Sequence, residues 1–182
     1  MESLNSYWKA ALAGVTETHH LIPDRPRPQR QTYRGSREAA IVPPDVTASL
    51  LRLSERQPVT QFMILVAAFQ TLLHRYSGHE DISVGFPIAR HTRPEISNLI
   101  GFLVNTLVLK CSYAGNPTFS EVLRRVRDAS LGAYLHQDLP FKNLVSLLRP
   151  DRSAKQSPLF QAMFVLKNAP QPKPTWPGLD VK

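Results

Sequence analysis

Apolar positions along the chain switch between helical and alternating spacing, and that switching sets out the elements. Residues 3–13 read as a short helix with Tyr7, Ala10 and Ala11 on one face, and Gly14 follows as a stop. Residues 36–42 form the first candidate strand. Pro43-Pro44-Asp45 opens a helix over 45–56, with Val46, Leu50 and Leu53 at helical spacing. Thr60 caps the next helix, 61–77, which is apolar nearly all round and is therefore expected to be buried, and Gly78 ends it. Residues 81–86 read as a strand, and 99–111 hold a longer one. Thr118 and Glu121 make a capping box for a helix over 119–136. A short helix follows over 140–148, then a last strand over 159–166. Helices and strands alternate without a strict βαβ rhythm. The pattern predicts an α/β or α+β fold, a mixed sheet covered by helices.

Composition narrows this picture. The 182 residues fit one ordinary domain or part of a larger one, and 42% hydrophobic content supports a sizeable core. A single cysteine excludes an internal disulfide framework and any zinc site built on two cysteines. Cys111 lies in an apolar alternating run, which suits a buried or edge thiol rather than a nucleophile. The longest apolar stretch, 62–73, contains Gln70 and Thr71 and is too short to span a bilayer. No charged and then apolar leader opens the chain, so no signal peptide is expected and the predicted setting is cytoplasmic.

Charge and proline are concentrated. Arg25, Arg27, Arg30, Arg34 and Arg37 contribute +5 of the net +8, with no acid among them. Pro23, Pro26 and Pro28 sit in the same stretch, and Pro170, Pro172, Pro174 and Pro177 sit in the tail. Proline fixes φ and disfavours helix in the residue before it, so the first cluster reads as an extended linker. Its charge suits pairing with acids on another surface. With Tyr33 as its one aromatic residue and no groove-reading helix, it is not expected to bind nucleic acid.

Few residues offer catalytic chemistry. There is no G-x-S-x-G elbow and no glycine-rich phosphate loop. His136 falls at a helix end, where it can interact with the C-terminal dipole, and Asp138, two residues before Pro140, reads as a helix cap. His19 and His20, with Asp24 four positions further on, form a second constellation. A catalytic histidine needs a partner that fixes its tautomer and a pocket that excludes water, and a Pro/Arg linker offers neither.

Three stretches together resemble the condensation domains of non-ribosomal peptide synthetases. Residues 100–107 (IGFLVNTL) resemble the IGxFVNTL motif. Residues 136–141 (HQDLPF) resemble HQDxPFE, with Lys142 in place of the usual Glu. Arg152-Ser153 followed by Ser157-Pro158-Leu159-Phe160-Gln161 is similar to RSxSRxPLFQ, with Lys155 and Gln156 as departures. The flanks agree in order. Tyr7-Trp8 with Leu12-Ala13-Gly14 resembles the YWxxxLAG helix, residues 21–28 resemble the LPxDRPRP linker, and 69–76 with 80–88 resemble the AAFQxLLxRYxGQxDIxVGxPIA region. The agreement covers about residues 5–170.

The resemblance implies one lobe of a two-lobed, CoA-dependent-acyltransferase-like fold. It divides the chain into the end of the N-lobe (1–14), an inter-lobe linker (15–35), the C-lobe (36–169) and a Pro-rich tail (170–182). It places His19, His20 and Asp24 in the linker, as a decoy of the HHxxxDG motif with Arg25 where that motif has Gly. The true motif belongs to the other lobe, so no catalytic residue and no metal site is expected here, and the chain alone is expected to be inactive. Gly101, Phe102, Val104, Asn105 and Thr106 fall in the motif that faces the substrate tunnel, with Asn105 the foremost polar candidate. His136, Gln137, Asp138, Pro140, Phe141, Ser157 and Pro158 are implied to brace the lobe. The implied partners are peptidyl or acyl carrier domains, the N-lobe and other synthetase domains. No cofactor binds directly, since substrates ride on the phosphopantetheine arms of carriers. Neither nucleic acid nor membrane is implied. Two other readings stand beside this one: a non-catalytic lobe that docks a carrier or a separate N-lobe, and a gene remnant.

Overall fold

A two-stranded antiparallel hairpin with helices packed against it forms the centre of the computed structural model, which describes residues 2–15, 24–25, 32–89, 101, 103–148 and 159–167. The elements are α1 (Glu2–Ala11), α2 (Pro44–Arg56), α3 (Gln61–Ser77), β1 (Asp81–Ala89), β2 (Val104–Ser112), α4 (Phe119–Leu135) and α5 (Phe141–Leu148). β1 and β2 pair along their whole lengths, from Asp81 opposite Ser112 to Ala89 opposite Val104. α3 packs on β1, α4 packs on β2, and α3 and α4 pack on each other, so one face of the hairpin lies under two adjacent helices. α5 packs against both α1 and β2, and α2 lies against α3.

Local sequence accounts for the helix boundaries. The Thr60 hydroxyl accepts from the Met63 N–H at 3.3 Å, and Gly78 closes α3 at φ 72°, a left-handed turn that glycine makes without a Cβ clash. α3 buries Met63, Ile64, Val66, Ala67, Gln70 and Leu73, while Leu72 stays half-exposed, so it is buried on most of its circumference. At α4, the Glu121 N–H donates to Thr118 Oγ1, and Glu121 Oε2 accepts from the Thr118 N–H at 2.7 Å and from its hydroxyl at 2.9 Å. These bonds hold the Glu121 carboxyl below its ordinary pKa. A depressed folded-state pKa gives stability above the unfolded pKa that is lost as pH falls through the folded one. Thr118→Ala is expected to cost about 1 kcal/mol, read as a shift in the urea midpoint at constant slope.

Three expectations need correction. The buried face of α1 is carried by Trp8, continued by Leu12 and Val15, and not by Ala10, which is exposed. The largest apolar ring sets the docking face, because burial free energy follows apolar area. Residues 32–43 contain no strand and are exposed throughout, with Ile41 at 93%. An extended segment becomes a strand only by pairing with an edge, and among the described residues this one pairs with none. The expected last strand, 159–166, is reduced to a single parallel bridge between Gly85 and Met163. Gly85 uses its outward N–H on Ala162 O and its carbonyl on Phe164 N. The next outward position of β1 is Pro87, which has no N–H, so the ladder loses its next donor on that side. Ser83 Oγ donates to Leu159 O at 2.7 Å and holds the segment at its other end, where Leu159 itself turns at φ 70°.

Inside the core, Gln70 is fully buried and bridges the hairpin, with Nε2 donating to Ile82 O at 3.2 Å and Leu109 O at 3.1 Å. Cys111 is a free, buried thiol. Burial pushes its pKa up to about 11, with Arg125 opposing and Asp81 adding to the rise. The thiolate is the reactive form. Native protein is therefore expected to react with an aromatic disulfide reagent only at the rate of opening, and denatured protein at once. Immediate titration of the native thiol would contradict this burial.

Candidate functional site

The odd-numbered face of β2 carries Asn105, Leu107, Leu109 and Cys111, all buried. Asn105 thus occupies the place of a fourth apolar residue, and a buried amide must find partners. It finds them in the turn between α4 and α5. Asn105 Nδ2 donates to Gln137 O at 2.9 Å and to Leu139 O at 3.0 Å, and Oδ1 accepts from the Phe141 N–H at 3.1 Å. Two carbonyls face the nitrogen and one N–H faces the oxygen, which fixes the amide orientation. The N–H of Phe141, which opens α5, therefore goes to Asn105, and Asp138, read from the sequence as that helix's cap, is exposed in the same turn.

The same turn is held from its other side by α1. Trp8 Nε1 donates to His136 O at 3.0 Å. The Tyr7 and His136 rings stack at 3.8 Å between centroids and 4° between planes. His136 Nδ1 lies 2.8 Å from Gly132 O, and since a carbonyl only accepts, the proton sits on Nδ1. Gly132 leaves room for the Tyr7 hydroxyl, which a Cβ there would strike. Burial raises the Tyr7 pKa. Lys110 of β2 ties down the end of this helix, donating to Ala13 O at 2.6 Å and pairing with Asp81 at 2.8 Å.

Three stretches singled out in the sequence are thus brought together: the Tyr7-Trp8 helix, the turn from His136 to Phe141, and the start of β2. Leu139 is buried, Gln137 and Phe141 are half-buried, and Pro140 is exposed. Gly101 and Val104 are exposed and Thr106 is half-buried, opposite Pro87. Asp24 and Arg25 are exposed. His19, His20, Phe102, Ser157 and Pro158 lie outside the described residues. The partnership of Asn105 with a turn 32 to 36 residues away is what sequence reasoning missed. Its one signal was a polar residue on the apolar face of a strand.

A separate cleft of about 120 Å³ lies at the far end of β2, lined by Thr71, His74, Arg75, Tyr113, Asn116 and Phe119 among others. At about 3.3 Å per residue it is about 26 Å along the strand from Asn105. Burial raises the Tyr113 hydroxyl to a pKa of about 12, opposed by its hydrogen bond with Thr71. Among the described residues no three His, Cys, Asp or Glu side chains group as metal ligands, and no helix is long and apolar enough to cross a membrane.

The sequence matches the family model described as "Condensation domain" over residues 1–175. The chain belongs to the condensation-domain family. One of the linear gramicidin synthase proteins of Brevibacillus parabrevis is 52% identical over 165 residues, which are 91% of this chain and 3% of that protein. Malpinin synthetase of Mortierella alpina is 40% identical over 181 residues, 100% of this chain and 2% of that protein. A four-domain nonribosomal peptide synthetase bound to AMP and glycine superimposes with a TM-score of 0.86 at 26% identity, over 92% of this chain and 13% of that one. The X-domain from teicoplanin biosynthesis gives 0.84 at 26% identity, over 89% of this chain and 36% of that one. The chain therefore spans a small part of these synthetases and about a third of the X-domain. The likeness extends from sequence to fold, so this condensation-family chain has the mixed helix-and-sheet architecture of one lobe of the two-lobed fold. The two motifs that it shares with the family within the described residues, around Asn105 and from His136 to Phe141, are in direct hydrogen-bonded contact.

Proposed function

We propose that this chain is the C-lobe part of a peptide synthetase condensation domain, comprising the end of the N-lobe (1–14), the linker (15–35), the C-lobe (36–169) and a Pro-rich exit (170–182). The observation that carries the reading is the family match over residues 1–175, joined to the contact between two family motifs at Asn105. In the complete domain the acceptor amine attacks the donor thioester carbonyl. A C–N bond forms, the C–S bond breaks, and the donor arm leaves as a thiol with the proton released by the amine. Both substrates arrive on phosphopantetheine arms of carrier domains in the cytoplasm. The HHxxxDG histidine comes from the other lobe, and His19, His20 and Asp24 take no part. Gly101, Phe102, Val104, Asn105 and Thr106 belong to the stretch that borders the channel, and His136, Gln137, Asp138, Pro140, Phe141, Ser157 and Pro158 brace the lobe. Without its partner lobe such a channel cannot exclude water.

Loaded donor and acceptor carriers incubated with the 182-residue chain should give no amide above background by mass spectrometry. Adding an N-lobe that carries HHxxxDG should restore it. Amide formed by the chain alone, or none in any combination, would sink the reading. The net charge of +8 favours a second reading, a lobe that docks an acidic carrier without catalysis. Calorimetric titration with a carrier at low salt tests it, and absence of heat there removes it.

A further inference from the structure

The turn from His136 to Phe141 is gripped at three carbonyls by two different elements. α1 holds the carbonyl of His136 through Trp8, and Asn105 holds those of Gln137 and Leu139. The Asn105 amide bonds to the turn and not to α1, so the turn joins the two through hydrogen bonds, alongside the direct packing of α1 on α5. Lys110 adds a direct tie between β2 and Ala13, close to the end of α1. We propose that Asn105 is a positioning residue whose amide, acting through this turn, sets the start of β2 and the start of α5 according to where α1 docks. The proposal rests on the reading of residues 101–106 as channel lining, since only then does the start of β2 bear on the reaction. On the proposed reading α1 is the end of the N-lobe, so its docking reports where that lobe sits. A shift of α1 pulls on His136 O, the turn carries it to Gln137 and Leu139, and Asn105 passes it to the strand.

Hydrogen exchange of the Phe141 amide, followed by NMR in the 182-residue chain, tests the link. Asn105→Ala removes the acceptor and should speed that amide by about two- to tenfold, the range of one net hydrogen bond. Asn105→Asp keeps an acceptor of the same shape but turns a second carboxylate oxygen toward the carbonyls of Gln137 and Leu139, so exchange should be at least as fast as in Asn105→Ala. The deciding variant is Trp8→Phe, which keeps a ring and removes the indole N–H. It should also speed Phe141, which Trp8 does not bond, while Val84 and Leu109 in the hairpin stay protected. Tyr7→Leu, which removes only the stack on His136, should do the same. Unchanged Phe141 exchange in both α1 variants overturns the proposal, and so does loss of all protection in both, which would make α1 part of the global core rather than one half of a clasp. In the two-lobe amide assay, Asn105→Asp should lower kcat with little change in KM for the acceptor carrier. Failure of that assay with wild-type chain counts against the proposed function, while the exchange data decide the clasp.

Discussion

Trp8→Ala is expected to lower the free energy of unfolding by about 3–5 kcal/mol, the usual cost of emptying a buried aromatic site. Trp8 is 1% exposed, and its ring packs edge-on to Tyr7 at 5.1 Å. Its indole N–H is the hydrogen bond that joins α1 to the His136 turn. The loss therefore combines cavity, dispersion and an unpaired carbonyl. Urea unfolding followed by far-UV circular dichroism measures it, and a change below about 1 kcal/mol, typical of a surface site or a collapsed one, would mean that α1 is not docked. Gly132→Ala approaches the same contact from the other side. Its methyl group would strike the Tyr7 hydroxyl, so part of the Trp8 effect should appear without any change to α1 itself.

The second large effect is expected at Gly85. A Cβ there would lie 2.5 to 2.7 Å from ring atoms of Phe160, well inside van der Waals contact. Phe160 is itself buried and lies 5.6 Å, centroid to centroid, from Phe141 at the start of α5, so the ring has little room to retreat. Gly85→Ala should cost about 1–3 kcal/mol through overpacking. The physical cause is separable by a double-mutant cycle. Phe160→Leu should recover part of the Gly85→Ala loss, giving a coupling of about 0.5–3 kcal/mol between two residues in contact. Additive effects would mean that the methyl group is accommodated by backbone movement instead.

Much of the helical architecture was legible because its signals are local. Thr60, Gly78, Thr118 and Glu121 act within one turn of the residues they cap, and the structure finds all four in those roles. The apolar spacing of α3 fixed its depth for the same reason. Legibility failed where the deciding partner is distant. Residues 36–42 end in the β-branched pair Ile41-Val42, but among the described residues they pair with no strand, and both side chains are left exposed. The last strand was denied a donor on one side by Pro87, more than seventy residues earlier, because a ladder depends on both of its members. At the site, the two motifs were visible as words in the sequence. Their physical connection was not, since nothing local shows that the Asn105 amide is used up on the backbone of the turn that follows α4.

Pro87 also bears on how the protein behaves in company. The outer edge of β1 would otherwise offer a row of outward N–H groups on which the extended segment of another molecule could form. Gly85 already gives its N–H to Ala162, and Pro87 has none, so a foreign strand would meet an edge without donors at two successive outward positions. Replacing Pro87 would do more than lengthen an internal ladder. It would restore a donor to the outer edge of β1, the kind of group on which edge-to-edge pairing builds, and the pyrrolidine ring at this position withholds it.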